Sequence, residues 1–266
     1  MAEHRLYRTE AIVLRHTRSG EASRILTLLT PGYGKLRAVV KGVLRPTSHM
    51  AGHLEPFCRS RLLLAHAHGL DIITQAQLID SHPGLREDLD KTTAAAYAAE
   101  LVDRLTEEEH ESPELYGLLC YVLAWLARGP DLDMPLRYLE TQALAVSGYQ
   151  PEQHRGQACK RPLEPALTGF SPAAGGTLCS ACAPNFSDAR PLTLNALKVL
   201  RLLEQDDLTQ LRRLKLPQGL SRELETLLRA YVLYVTEQQM RSLAFLETVR
   251  EAPPIRRPAT IPTEEA

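Results

Sequence analysis

The feature that most constrains this chain is a change of hydrophobic period at Ser81-His82-Pro83-Gly84. Before it, short segments rich in Val, Ile, Leu and Thr are separated by Gly and Pro; after it, Ala- and Leu-rich segments repeat every three to four residues. A period of two builds strands and a period near 3.6 builds helices, so the two stretches require different layers. The expected class is α+β, strands first. Residues 10–14, 23–30, 35–42, 58–65 and 70–79 read as five strands whose spacing fits a small barrel. Thr30-Pro31-Gly32-Tyr33-Gly34 places Pro and Gly where a tight hairpin connection needs fixed or positive φ.

Helices are expected over 94–106, 115–128, 134–147, 194–203 and 220–249. Ser112-Pro113-Glu114 provides a start signal for the second and Gly148 a stop signal for the third. Residues 149–190 lack an apolar period, are rich in proline, and hold three of the five cysteines. They read as a loop-like insertion whose stability needs another source, a structural metal being the candidate. The expected organisation is therefore a strand domain at 1–80, a helical domain at 81–250 carrying the 149–190 insertion, and a disordered tail at 251–266. The longest apolar run, 118–127, falls short of the roughly 18 residues of a membrane span. With no apolar leader pattern after the first residues, a cytoplasmic protein without membrane contact is expected.

The net charge of −1 conceals a division along the chain: residues 1–80 carry a net +5 and residues 81–150 a net −8. Clustered cations set the local potential whatever the total, so the basic front half points to an anionic partner, nucleic acid first. On the strand at 35–41, Leu36, Ala38 and Val40 alternate with Lys35, Arg37, Val39 and Lys41, giving one packing face and one cationic face. Arg45 follows, and Arg15, Arg18 and Arg24 lie on or beside neighbouring strands. These seven are the candidate DNA-binding residues. The alternative is a solvated face that only keeps the barrel soluble. Tyr7, Tyr33 and Phe57 are the aromatic residues before position 80, too few for extensive base stacking, so contact through phosphates is expected. For each ring separately, core packing is at least as good a reading as base contact. A second cationic side is expected at Arg190, Lys198 and Arg201, or at Arg212, Arg213 and Lys215, with ordinary helix solubility as the alternative reading.

Cys179-Ser180-Ala181-Cys182 is a C-x-x-C knuckle and Cys159 precedes it by 20 residues, a zinc-ribbon spacing. The partner knuckle is incomplete, because position 156 is Gly. His154 is then the candidate fourth ligand to a structural zinc held by Cys159, Cys179 and Cys182; the alternative is a small thiol cluster without metal. Cys58 and Cys120 read as buried small hydrophobes, and His66 and His68 as exposed histidines. No phosphate-binding loop, dinucleotide fingerprint, nucleophile elbow or metalloprotease motif occurs, so no enzymatic activity is expected.

Ala11-Ile12-Val13-Leu14, Gly20-Glu21, the strand at 25–30, Gly34-Lys35, Lys41-Gly42, Arg45-Pro46, Ser48 and Leu54-Glu55-Pro56-Phe57 resemble, in order and spacing, the N-terminal pattern of the RecO recombination mediators. Phe170 to Gly176, followed by Leu178-Cys179 and Cys182, resembles the central knuckle of the same family. The resemblance runs from about Leu6 to Val249 and implies an OB-fold barrel followed by a helical domain with a zinc-finger-like loop. It implies binding and annealing of single-stranded DNA, contact with duplex DNA, single-strand binding protein and RecR, and help in loading RecA, in a nucleoid-associated setting. The departure is Gly156, where zinc-bearing members carry Cys. A different class of function is a zinc-containing adaptor that contacts proteins and not DNA.

Overall fold

The computed structural model describes residues 6–163 and 168–251. Its first half is a closed barrel of β1 (Leu6–Ser19), β2 (Ser23–Thr30), β3 (Gly34–Val40), β4 (Arg59–Ala65) and β5 (Asp71–Asp80), in the order β1-β2-β3-β5-β4. Closure depends on β1 serving two neighbours. Its first half pairs with β4 and its second with β2, and a register shift between Val13 and Arg15 bends the strand between them. A short parallel pairing, Ala38 with Asp71 and Val39 with Ile72, closes the far side.

The barrel is packed on both sides of its wall. Ala11, Val13, Leu26, Leu28, Ala38, Val40, Leu62, Leu64 and Ile73 fill the interior, with Leu54 from a 3₁₀ turn across one end. Ile12, Leu14, Leu29 and Phe57 instead join the core of the helices. The uninterrupted burial of Leu26 to Thr30 follows, since one face of β2 looks inward and the other meets the helical half.

The turn after β2 makes that docking possible. The Thr30 hydroxyl accepts from Tyr33 N–H at 3.0 Å and donates to the Gly34 carbonyl at 2.9 Å. Gly34 has φ +62°, and a Cβ there would lie 1.8 Å from the His110 carbonyl oxygen. The 106–112 connection therefore packs directly on bare backbone, fixed by a hydrogen bond from Glu109 N–H to the Lys35 carbonyl at 3.0 Å.

The helices are α1 (Leu89–Leu105), α2 (Pro113–Arg128), α3 (Asp133–Val146), α4 (Leu194–Glu204), α5 (Leu208–Leu211), α6 (Gln218–Thr236) and α7 (Arg241–Glu251). Asp88 caps α1 by accepting from Asp90 and Lys91 N–H, and Gly148, with φ +82°, follows the end of α3. Ser112 precedes α2 as expected, but its hydroxyl donates to the His110 carbonyl at 3.2 Å and caps nothing. Inside this half, Arg137 and Glu140 form an ion pair at 2.9 Å with side chains 2% and 0% exposed, and Tyr97 donates to the same carboxylate at 2.6 Å. Among the described residues no helix is long and apolar enough to cross a membrane.

Two expectations need correction. The single helix expected at 220–249 is two, broken where Glu237 turns left-handed at φ 53°. Past the break α7 folds back on α1, and Glu100 accepts from Arg241 N–H, Ser242 N–H and the Ser242 hydroxyl, so a tertiary carboxylate does the capping. Residues 149–190 are not merely loop: β6 (Thr168–Ser171), β7 (Gly176–Leu178) and β8 (Arg190–Leu192) form a sheet in the order β7-β6-β8. Its Phe170 is fully buried, edge-on to Tyr231 of α6 at 5.6 Å. Strands of three or four residues are too short to show a period. Of the expected disordered tail, residues 252–266 lie outside the described residues.

Candidate nucleic-acid interface and thiol cluster

Residues directly opposite one another on neighbouring strands share a face, so the register shows which of the seven cations stand together. Arg15 faces Thr27, which faces Arg37; the adjacent row on the same outer face is Thr17, Ile25, Val39 and Ile72. Lys35 shares Arg37's side of β3, and Lys41 opens the turn just beyond the strand. Arg24 pairs with Arg18 and with the interior residue Val40, so its side chain leaves on the opposite side, where it meets Glu55 at 2.8 Å.

Sharing a face does not make these charges equally available. Asp103, near the end of α1, is 2.9 Å from Arg15 Nε and 3.2 Å from Lys35 Nζ, and its main-chain oxygen accepts from Lys35 at 2.6 Å. Lys35 and Asp103 are 14% and 13% exposed, whereas Arg15 is 55% exposed. Burial pushes the Asp103 carboxyl upward, but the hydrogen bond from Arg15 and the charge of Lys35 outweigh it and hold the group below its ordinary range. Lys35 and Arg15 thus join the barrel to the helices, and Arg24 ties β2 to the 3₁₀ turn. Arg18 is exposed and donates to the Glu21 main chain at 3.3 Å. The side chains of Arg37, Lys41 and Arg45 are exposed and, among the described residues, have neither hydrogen-bond nor ion-pair partner.

The second cationic side is thinned in the same way. Arg201 donates twice to the Gln153 carbonyl, and Arg212 lies over Tyr121 and Trp125 while donating to the Tyr121 hydroxyl. Sequence reading also missed Arg59, which spans the two halves by meeting Glu10 at 2.7 Å and the Tyr116 hydroxyl at 3.1 Å. The excess of acid in 81–150 was the available signal for the Asp103 contacts of Arg15 and Lys35, whereas Glu10 and Glu55, the partners of Arg59 and Arg24, lie in the front half itself.

Of the three early aromatics, Phe57 is buried at φ 68° against the helical core. Tyr7 and Tyr33 cluster at 4.8 Å, and His66 stacks on Tyr7 at 4.6 Å. The Tyr7 hydroxyl donates to Asp71 at 2.5 Å, and burial followed by that carboxylate pushes the phenol upward.

The structure brings Cys159, Cys179 and Cys182 together: their sulfurs all lie within 4.8 Å of one another, with Cys159 and Cys179 at 3.7 Å. Two turns hold them. Lys160 N–H donates to the Gly156 carbonyl around Cys159, and Cys182 and Ala183 N–H donate to the Cys179 carbonyl. The main-chain N–H of Cys182 draws the Cys179 thiol below its ordinary value, while hydrogen bonding with Cys179 pushes Cys182 up to about 11. Three sulfurs so placed can hold a metal ion through three corners of a tetrahedron. His154 is not among them. Its Nε2 is 3.1 Å from Glu204 on α4, and the side chain is 58% exposed.

A barrel closed in this order, with a helical half and a cysteine-bearing element behind it, defines an OB-fold protein with a helical companion domain. Residues 1–82 match "Recombination protein O N terminal" and residues 86–244 match "Recombination protein O C terminal"; the chain belongs to the RecO family of DNA repair proteins. It is 41% identical over 257 residues to the DNA repair protein RecO of a Roseiflexus species, covering 97% of this chain and 90% of the relative. Similarity to the RecO of Desulforudis audaxviator is 40% over 241 residues, or 90% and 96% of the two chains. For a strain of Dehalococcoides mccartyi it is 36% over 246 residues, or 92% and 97%.

Proposed function

We propose that this protein is a non-catalytic cytoplasmic recombination mediator. It binds single-stranded and duplex DNA by the outer face of its barrel, and anneals complementary strands. With RecR it helps load RecA onto DNA coated with single-strand binding protein. Zinc on Cys159, Cys179 and Cys182 is structural, cross-linking the two turns of the insertion. The family supports the biological role; the observation that carries the contact surface is that the side chains of Arg37, Lys41 and Arg45 are exposed with no ion-pair partner among the described residues, Arg37 standing beside the Ile25–Val39–Ile72 row and the other two on the turn that follows β3.

The physical argument is electrostatic. Two polyanionic strands repel, and cations that lower this repulsion reduce the work of bringing them together, while base pairing supplies the driving force. Cations already neutralised by carboxylates add little. The test is a fluorescence titration of the full chain with labelled single-stranded and duplex DNA at several salt concentrations. Each phosphate contact to a single strand contributes about 0.7 to the slope of log K against log salt, so replacing Arg37, Lys41 and Arg45 by Ala flattens it by about 2. An unchanged slope refutes this surface, and absence of salt-dependent binding by the native chain supports the adaptor reading instead.

A further inference from the structure

The fourth corner of the thiol cluster is where this chain departs from a closed structural site. A Cβ built on Gly156 would lie 2.9 Å from Cys159 Sγ, 3.5 Å from Cys179 N and 3.7 Å from Cys179 Cβ. Position 156 therefore faces the cluster at close range and brings no side chain to it. His154 is engaged with Glu204, and among the described residues no other His, Cys, Asp or Glu joins the three sulfurs. The knuckle tip, Ser180-Ala181, is exposed, and the three cysteines are half-exposed, so solutes reach the cluster.

We infer that a metal held by Cys159, Cys179 and Cys182 takes its fourth ligand from outside the chain, and that this corner is a binding site for a small thiolate. The inference rests on the metal-binding reading given above. A soft ion already held by three sulfurs accepts a fourth sulfur readily, and a ligand from solution needs only an open position, as in zinc sites that keep water in the fourth place. The surroundings favour an anionic donor: Arg155, Lys160 and Arg161 are exposed on the turn that carries Cys159, and lower the cost of adding negative charge to a three-thiolate site. The closed alternative is one substitution away. At Gly156 the backbone lies outside the left-handed region, and the nearest obstacle is the end of the Cys159 side chain, which can rotate.

The experiment uses the full chain, kept reduced with a phosphine so that no reductant supplies sulfur, stripped and loaded with one equivalent of cobalt(II). Visible ligand-field and near-ultraviolet thiolate-to-cobalt bands report the donor set. In the native chain these bands shift saturably as mercaptoethanol is added. In Gly156→Cys they start in the four-thiolate form and do not respond. His154→Ala behaves as the native chain, and supports the inference even where Gly156→Cys fails to fold. In a parallel competition Gly156→Cys retains zinc at chelator concentrations that strip the native protein. A native spectrum indifferent to mercaptoethanol overturns the inference, as does loss of the response in His154→Ala. Cobalt binding by Gly156→Cys alone also overturns it while preserving the location of the metal site; failure of every form to bind cobalt removes the metal reading itself.

Discussion

Asp103→Asn keeps the shape of the side chain and removes the charge that joins the barrel to the helices. Its two ion pairs are not equivalent. The Arg15 contact, with the guanidinium 55% exposed, is screened and is worth about 0.2 to 1 kcal/mol. The Lys35 contact joins groups 14% and 13% exposed, closer to the roughly 1.5 to 3 kcal/mol of a hydrogen bond to a charged group. Lys35 retains its bond to the Asp103 main-chain oxygen in the variant, which places the total near 2 kcal/mol, or a fall of about 4 to 8 °C in Tm. Urea denaturation at pH 7 followed by the fluorescence of Trp125, the single tryptophan, measures the loss. A double-mutant cycle with Lys35→Met isolates a coupling of about 1 kcal/mol or more, whereas the cycle with Arg15→Met gives less. The folded carboxyl is held below its ordinary value, so its stabilisation is full above the unfolded pKa near 3.9 and disappears as pH falls through the lower folded value. Native and variant curves should therefore run parallel from pH 5 to 8 and converge in acid. A variant within about 0.3 kcal/mol of native at pH 7, or a difference that survives full protonation, would refute the clamp.

Gly34→Ala meets the His110 carbonyl at 1.8 Å, and Gly20→Ala, at the similar φ of +64°, meets nothing within 4 Å. The latter should cost only the left-handed strain of about 1 to 2 kcal/mol, and the former more, with protease cleavage appearing in 106–112; equal losses would show that the close approach is not limiting. Glu140→Gln leaves Arg137 buried without its carboxylate and should cost about 3 to 5 kcal/mol, whereas Arg137→Met combined with Glu140→Leu should cost far less. Denaturation of the two variants beside the native protein decides, and a double variant no more stable than Glu140→Gln would count against the pair as the cause.

What could be read from the sequence, and what could not, divides by range. The strands were legible because alternation and Gly or Pro punctuation are local, and the turn from Thr30 to Gly34 closes with its own side chain. The end of α6 was not, because Glu237 carries no stop signal and the fold back is held by Glu100, more than a hundred positions earlier. The short strands β6 to β8 draw their order from neighbours such as Tyr231 and leave no period of their own.

The cationic surface shows the division within a single strand. Alternation correctly set Lys35 and Arg37 on one side of β3, because orientation is a property of the backbone. Availability is not. Lys35 meets a carboxylate 68 positions away, while Arg37, two residues further along the same face, meets none among the described residues. A count of positive residues therefore measures the most a surface can offer, and the acids that the fold returns to that surface determine how much of it remains for a phosphate backbone. Asp103→Asn tests this directly, since it should steepen the salt dependence of DNA binding by about 0.7 while destabilising the protein. Two opposite responses to one substitution are what a carboxylate occupying a phosphate-binding surface produces, and what an indifferent surface ion pair does not.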